Sequence, residues 1–281
     1  MAGTGMIGLL LIIINGIVSY RGFKDYAFFS RYKFNVDSIR LQKDYKRLIT
    51  SDFLHVSWTH LIFNMLSLFI FSGPVEAYLG SANFLLIYVA SMIGCNLLTL
   101  LIHWRDGDYS SVGASGAVSG VIFAAIALFP GMRMGFFFLP LHIPAWIFGL
   151  LYVAFSMWGI KSRRDNIGHE AHLGGALVGM GMAILIHPAA FAQNYWVILL
   201  ITVPAIIFLY LIVKRPHLLL VDNHYFKTHN NHYSVDHKYN EQRASRQQEI
   251  DRILDKIGRS GMNSLSEKEK QLLKRHSRSM R

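Results

Sequence analysis

The sequence predicts an all-α fold: a polytopic bundle of membrane helices followed by a small, helical, polar tail. Three observations predict it. Of 281 residues, 52% are hydrophobic and only 16% are charged, which is too apolar a balance for a soluble domain of this length. Seven segments are long and apolar enough to cross, or nearly cross, a bilayer, which takes about 20 helical residues. They run over 3–20, 55–71, 82–102, 112–129, 143–160, 169–186 and 195–213. The net charge of +11 is concentrated outside them: residues 214–281 carry 15 Lys/Arg against 8 Asp/Glu, and residues 21–54 carry 8 against 4.

In chain order, the first apolar segment does not read as a cleaved signal peptide, because no Lys or Arg precedes Arg21 and such peptides begin with a basic stretch. Between the fourth and fifth spans lies "GMRMGFFFLPLHIPAW", where Pro140 and Pro144 break any helix; a loop dipping into the interface is expected there. Residues 1–190 form the predicted core of six helices. Residues 191–213 add a seventh span, and 214–281 form the tail. Within the tail, Ile250, Ile253, Leu254 and Ile257 share a helical face. Gly261 fits a stop, and Ser264 and Glu267 stand at capping-box spacing, so a helical hairpin is expected over 241–277; a solvated charged tail is the alternative. The tail histidines His217, His224, His229, His232 and His237 are irregularly spaced, unlike a metal site with defined ligand geometry. The basic residues lack a nucleic-acid-binding framework, so no nucleic-acid partner is expected. The single cysteine, Cys95, excludes a disulfide within the chain.

Ionisable residues inside spans are costly and mark function by default. The second span opens "HVSWTHLIFN". His60 and Asn64 are four apart and share a helix face, with His55 read as one turn nearer the start. The fourth span opens at "GASG" with Ser115, and the sixth opens "HEAHLGGALVG" with His172. Consecutive spans alternate direction, so spans two, four and six start on the same side. Each of these residues lies within about three turns of its span's start, roughly 5–15 Å deep at 1.5 Å per residue. The four can therefore meet. Gly116 and Gly120 on span four, and Gly175 and Gly179 on span six, are small-xxx-small pairs that let helix backbones touch in lipid.

A serine hydroxyl needs a base to become a nucleophile, and His172 can serve. Glu170 is on another helix face from His172 and Asp165 lies in the preceding loop, so a Ser115–His172 dyad is expected. Attack on a carbonyl builds an oxyanion that needs donors. Asn64 and His60 offer side-chain N–H groups, and Ala114 and Ser115 offer backbone N–H groups freed at a helix start, where the helix dipole also favours negative charge. The set suggests hydrolysis of a peptide bond in or near the membrane. "GASG" alone is a weak signal, since Ala117 breaks the G-x-S-x-G pattern.

Together, "HVSWTHLIFN", "GASG" and "AHLGG" in this order resemble the rhomboid intramembrane serine proteases, over residues 3–186. The resemblance implies that Ser115, between Gly113 and Gly116, is the nucleophile and His172, followed by Gly175 and Gly179, the base. It implies that His60 and Asn64 line the oxyanion hole, and that Arg47 of "YKR" and Glu76 of "EAYLG" are structural. The chain is similar to the bacterial type with six core helices plus one. The family often carries an aromatic residue one turn after the nucleophile, stacked on the base; here Ser119 stands in that place. The resemblance also implies an integral protein of the bacterial inner membrane. Its substrates would be single-span membrane proteins entering from the bilayer beside span five, with a helix-destabilising segment that exposes a carbonyl. Span two's start and the loop 161–168 would form an entrance and cap. No cofactor and no metal are expected.

The positive-inside rule would put the basic loop 21–54 in the cytoplasm, whereas the resemblance implies an extracytoplasmic active site. We follow the resemblance, because loop one in that family is a structured, partly embedded element. Two other functions fit parts of the sequence. A catalytically silent relative that binds and routes membrane proteins would lack the serine or the histidine. A transporter using His55, His60 and His172 as a relay would need acidic partners within the spans.

Overall fold

A computed structural model of the chain describes residues 5–136, 139–162 and 167–214, with 253, 256, 257, 265, 266, 269 and 270 of the tail. Helix α1 spans Met6–Lys24. A folded first loop follows, with α2 (Tyr26–Tyr32), β1 (Phe34–Asn35), α3 (Val36–Arg40), α4 (Arg47–Thr50) and a 3-10 turn at Ser51–Phe53. Then come α5 (Trp58–Leu79), α6 (Ser81–Ile102), β2 (Ser110–Ser111) and α7 (Ser115–Leu128). A hairpin of β3 (Arg133–Phe136) and β4 (Leu139–Pro144) leads to α8 (Ala145–Ser162), α9 (His169–Ile186) and α10 (Ala189–Lys214).

The all-α reading holds, with six helices long and apolar enough to cross a membrane: α1, α5, α6, α8, α9 and α10. The predicted fourth span is the exception. Helix α7 has only 14 residues, about 21 Å of rise against a hydrocarbon core of about 30 Å. It has no lipid-facing stripe, since every residue from Gly116 to Ala127 is buried. Helices α5, α6, α8, α9 and α10 pack around it instead. The chain leading into its start includes the short strand Ser110–Ser111, which pairs with loop one.

The expected loop after α7 is an antiparallel hairpin, with Arg133 paired to Pro144, Met134 to Ile143 and Gly135 to His142. Pro144 tolerates this place because it sits at the strand's end. Helix α10 takes up the seventh apolar segment. It is kinked at Asn194 (φ −126°, ψ 20°), whose side chain donates to the Ala127 carbonyl at 2.9 Å, so the start of α10 closes the C-terminal end of α7.

Two bonded residues clamp the first half. Arg47 donates to the Ser30 and Lys33 carbonyls at 3.0 and 2.7 Å and to Asp44 at 3.0 Å, folding loop one around itself. Glu76 accepts from the Ile7 and Gly8 N–H groups at 3.0 and 3.1 Å and from the Ser81 hydroxyl at 2.7 Å. It thus ties the first turn of α1 to the α5–α6 corner, where Gly80 takes φ +84°.

The chain divides into two compact units, Met1–Asn230 and Asn231–Arg281. In the second, Ile253 and Leu265 are buried and Lys256 pairs with Glu269 at 3.0 Å. The capping box is shifted by two residues from the expected one. Glu269 accepts from the Ser266 N–H at 2.7 Å while the Ser266 hydroxyl accepts from the Glu269 N–H at 3.3 Å. Both Ser264/Glu267 and Ser266/Glu269 have the spacing, so pattern alone could not choose. Most of the predicted 241–277 hairpin, the tail histidines, and residues 163–166 of the 161–168 loop lie outside the described residues.

Candidate active site

The site is assembled where α5, α7 and α9 begin. The segment leading into α7 is zipped to loop one. Strands β1 and β2 pair Phe34 with Ser111 and Asn35 with Ser110. The Val36 and Asp37 N–H groups donate to the Tyr109 and Gly107 carbonyls at 3.2 and 3.1 Å, and the Gly113 N–H donates to the Ser51 carbonyl at 3.1 Å. Gly113 has φ +131°, a conformation open to glycine and strained for other residues. A Cβ there would also meet His60 Cε1 at 2.6 Å. The His60 imidazole therefore lies against bare backbone two residues from Ser115.

Helix α7 starts at Ser115, so the N–H groups of Ser115 and Gly116 point out of its first turn without an intrahelical acceptor. The Ala114 N–H is directed instead to His55 Nε2 at 3.5 Å. His55 is not on α5, as read from the sequence. Ser57 caps that helix by accepting from the His60 N–H at 3.2 Å, which leaves His55 in the preceding loop. The Ser19 hydroxyl donates to the Phe53 carbonyl at 2.9 Å, so its oxygen accepts from His55 Nδ1 at 2.8 Å. Nε2 of His55 is then the acceptor facing Ala114.

On α5, Asn64 donates one amide hydrogen to the His60 carbonyl at 3.1 Å, leaving the second for another acceptor. His60 Nδ1 is buried and has no hydrogen-bond partner among the described residues. The rings of His55 and His60 meet edge to face at 4.9 Å.

Helices α7 and α9 meet through backbone. A Cβ at Gly175 would collide with the Gly116 carbonyl, and one at Gly179 with the Gly120 carbonyl. A Cβ at Gly116 would lie 3.5 Å from the Ala171 carbonyl. Ser115 and His172 are the immediate neighbours of Gly116 and Ala171, so this contact brings the two helix starts together.

Several groups around the site carry no sequence motif. The Ser119 hydroxyl donates to the Ser115 carbonyl at 2.6 Å and pairs with the Tyr152 hydroxyl at 2.6 Å. The Tyr152 ring stands 5.9 Å from that of His172, tilted by 37°. Glu170 is paired, although not with His172. Its carboxylate accepts from Tyr109 at 2.7 Å and bonds to His103 Nε2 at 3.1 Å; the His103 and Tyr109 rings are stacked at 3.5 Å. The start of α9 is thereby pinned to the α6–α7 connection. In the 3-10 turn, Asp52 accepts from Asn96 at 2.6 Å, and burial pushes its carboxyl up to about 8, so it holds its proton at neutral pH. Among the described residues, no group of three or more His, Cys, Asp or Glu is placed to hold a metal ion.

A model of the family described as "Rhomboid domain" matches residues 42–189, more than half the chain, and takes in loop one's Arg47 and all three motif segments. The chain belongs to the rhomboid family. Its rhomboid domain is similar to that of "Rhomboid protein 1, mitochondrial" of Saccharomyces cerevisiae, 35% identical over 150 residues, which are 50% of this chain and 42% of that protein. It is also similar to "Putative rhomboid protease YdcA" of Bacillus subtilis, 38% identical over 141 residues, 50% of this chain and 66% of that one. "RHOMBOID-like protein 12, mitochondrial" of Arabidopsis thaliana is 27% identical over 189 residues, 62% of this chain and 55% of that protein. The chain thus spans about two fifths to two thirds of the length of these relatives. Residues 233–279, beyond the rhomboid domain, match a family of unknown function, DUF6576.

Proposed function

We propose that this rhomboid-family protein is an intramembrane serine endopeptidase that hydrolyses peptide bonds in or near transmembrane segments of single-span membrane proteins. The observation that carries the reading is the Gly116–Gly175 backbone contact, with a serine adjoining it on one helix and a histidine three residues away on the other. Ser115 Oγ attacks the scissile carbonyl while His172 takes its proton. The tetrahedral oxyanion accepts from the side chains of His60 and Asn64 and from N–H groups at the start of α7. Ala114 joins these donors once its N–H turns from His55. His172 returns the proton to the leaving amine, and an acyl-enzyme on Ser115 remains. Water, deprotonated by His172, releases the acid and restores the hydroxyl.

The site faces the extracytoplasmic side of a bacterial inner membrane in this reading, with α10 as the seventh membrane helix of a six-plus-one arrangement once the short α7 is counted among the six. Support comes from loop one, where Arg47 is buried in three bonds and Arg40 stacks on Trp104, so these two cations are held within a folded element. A topology reporter fused after Arg281 should read outside; a cytoplasmic signal rejects this seven-span orientation. For the activity itself, a serine-directed covalent probe should label wild-type protein and fail on both Ser115→Ala and His172→Ala. Equal labelling of Ser115→Ala would remove the nucleophile.

A further inference from the structure

Ser119 stands where a ring would be expected beside the base, and the structure supplies a ring from a different helix. Ser119 has a single hydroxyl proton, and it is given to the Ser115 carbonyl. The 2.6 Å contact to Tyr152 therefore has Tyr152 as donor and Ser119 Oγ as acceptor. A larger side chain at 119 would occupy the space of the Tyr152 hydroxyl. The 5.9 Å separation of the Tyr152 and His172 rings is within the range of interacting aromatic pairs.

One turn further along, the same arrangement recurs. Phe155 meets His169 edge to face at 5.2 Å, and Gly159 leaves room for the His169 ring, which a Cβ would strike. Helix α8 therefore presents Tyr152 and Phe155, three apart, to His172 and His169, three apart on α9. The Tyr152 ring is braced from behind by Phe123 at 5.5 Å and Phe148 at 5.9 Å.

We propose that Tyr152 on α8 is the positioning residue for His172, held to the nucleophile helix by Ser119, so that the aromatic wall of the base comes from α8 rather than α7. The relay Tyr152–Ser119–Ser115 then links the orientation of the base to the helix that bears the nucleophile. This inference rests on His172 being the base. It adds a residue that touches neither substrate nor scissile bond.

The test uses the purified full chain and a reporter transmembrane substrate. Tyr152→Leu should lower kcat on the order of 10- to 100-fold, the scale of a misplaced catalytic group, with KM changed far less. Tyr152→Phe keeps the ring and should stay within about threefold of wild type. Moving the ring should rescue: Ser119→Phe combined with Tyr152→Ala should recover most of the kcat lost in Tyr152→Ala alone. A Tyr152→Leu protein with wild-type kcat, or a double variant no better than Tyr152→Ala, overturns the proposal. A readout independent of turnover separates it from the proposed function. The His172 ring resonance, assigned by its loss in His172→Ala, should shift in Tyr152→Leu and hold in Tyr152→Phe. If wild type cleaves nothing yet this shift appears, the protease reading fails and the contact stands; if it is absent, the contact fails.

Discussion

Helix α7 is held from two sides in opposite ways. Toward α9 the contact is backbone on backbone, Gly116 against Gly175 and Gly120 against Gly179. Toward α8 it is made by the ends of side chains, Ser119 to Tyr152. A glycine seam has no rotamers with which to yield, so it fixes the relative positions of the helix starts that bear Ser115 and His172. A hydroxyl pair can break and re-form as a helix shifts. In the proposed reading the seam sets where nucleophile and base lie, and the Tyr152 ring, which outlasts loss of the hydroxyl pair, sets how the base is turned. If the proposed protease takes substrate beside the fifth predicted span, that substrate passes the side that can give.

The seam should tolerate least. Gly175→Val places methyl groups where the Gly116 carbonyl sits, so α7 and α9 must part. We expect a loss of about 1–3 kcal/mol of stability from overpacking and a fall in kcat/KM of about 100-fold, checked by thermal unfolding in detergent beside reporter cleavage. A variant that unfolds and cleaves like wild type would mean that the seam is not what locates the dyad. Glu170→Gln sharpens the same side from the far end of the α9 turn. It keeps an acceptor for Tyr109 and removes the carboxylate facing His103. The expected cost is about 1–3 kcal/mol, that of a weakened buried polar set, with a smaller drop in turnover than Gly175→Val. Unchanged thermal unfolding would show that the Glu170 cluster does not pin α9. Ser119→Ala breaks the other join and should do least. Tyr152 loses one acceptor, about 1 kcal/mol, while its ring remains braced by Phe123 and Phe148, so kcat should stay within about threefold. A loss as large as that of Gly175→Val would abolish the distinction between the two sides.

The glycine pairs were legible because the four-residue spacing of small residues has one main use in lipid; Gly116 and Gly120 stand against Gly175 and Gly179. Spans two and six, and the point where α7 starts, were legible from apolar runs that each open on polar residues. Other features had no local signal. Tyr152 sits in "GLLYVAFSMW", where an aromatic residue on an apolar helix reads as lipid-facing, and only the tertiary approach of Ser119 distinguishes it. Glu170 was placed on a different helix face from His172, and that face meets His103 and Tyr109, some 60 residues away in sequence. His55 was read onto α5 because apolar periodicity runs through it; the Ser57 cap decides the boundary. Helix α7 read as a full span because its residues are apolar throughout, which burial inside a bundle produces as readily as lipid does.

In the proposed function Ser115 is the nucleophile of a peptide-bond hydrolysis carried out within this bundle. Its most direct test is cleavage of a reporter transmembrane substrate by the purified protein, wild type beside Ser115→Ala. Wild type should yield two fragments, and Ser115→Ala, unfolding at the same temperature, should yield none. Fragments produced at the wild-type rate by Ser115→Ala would contradict it.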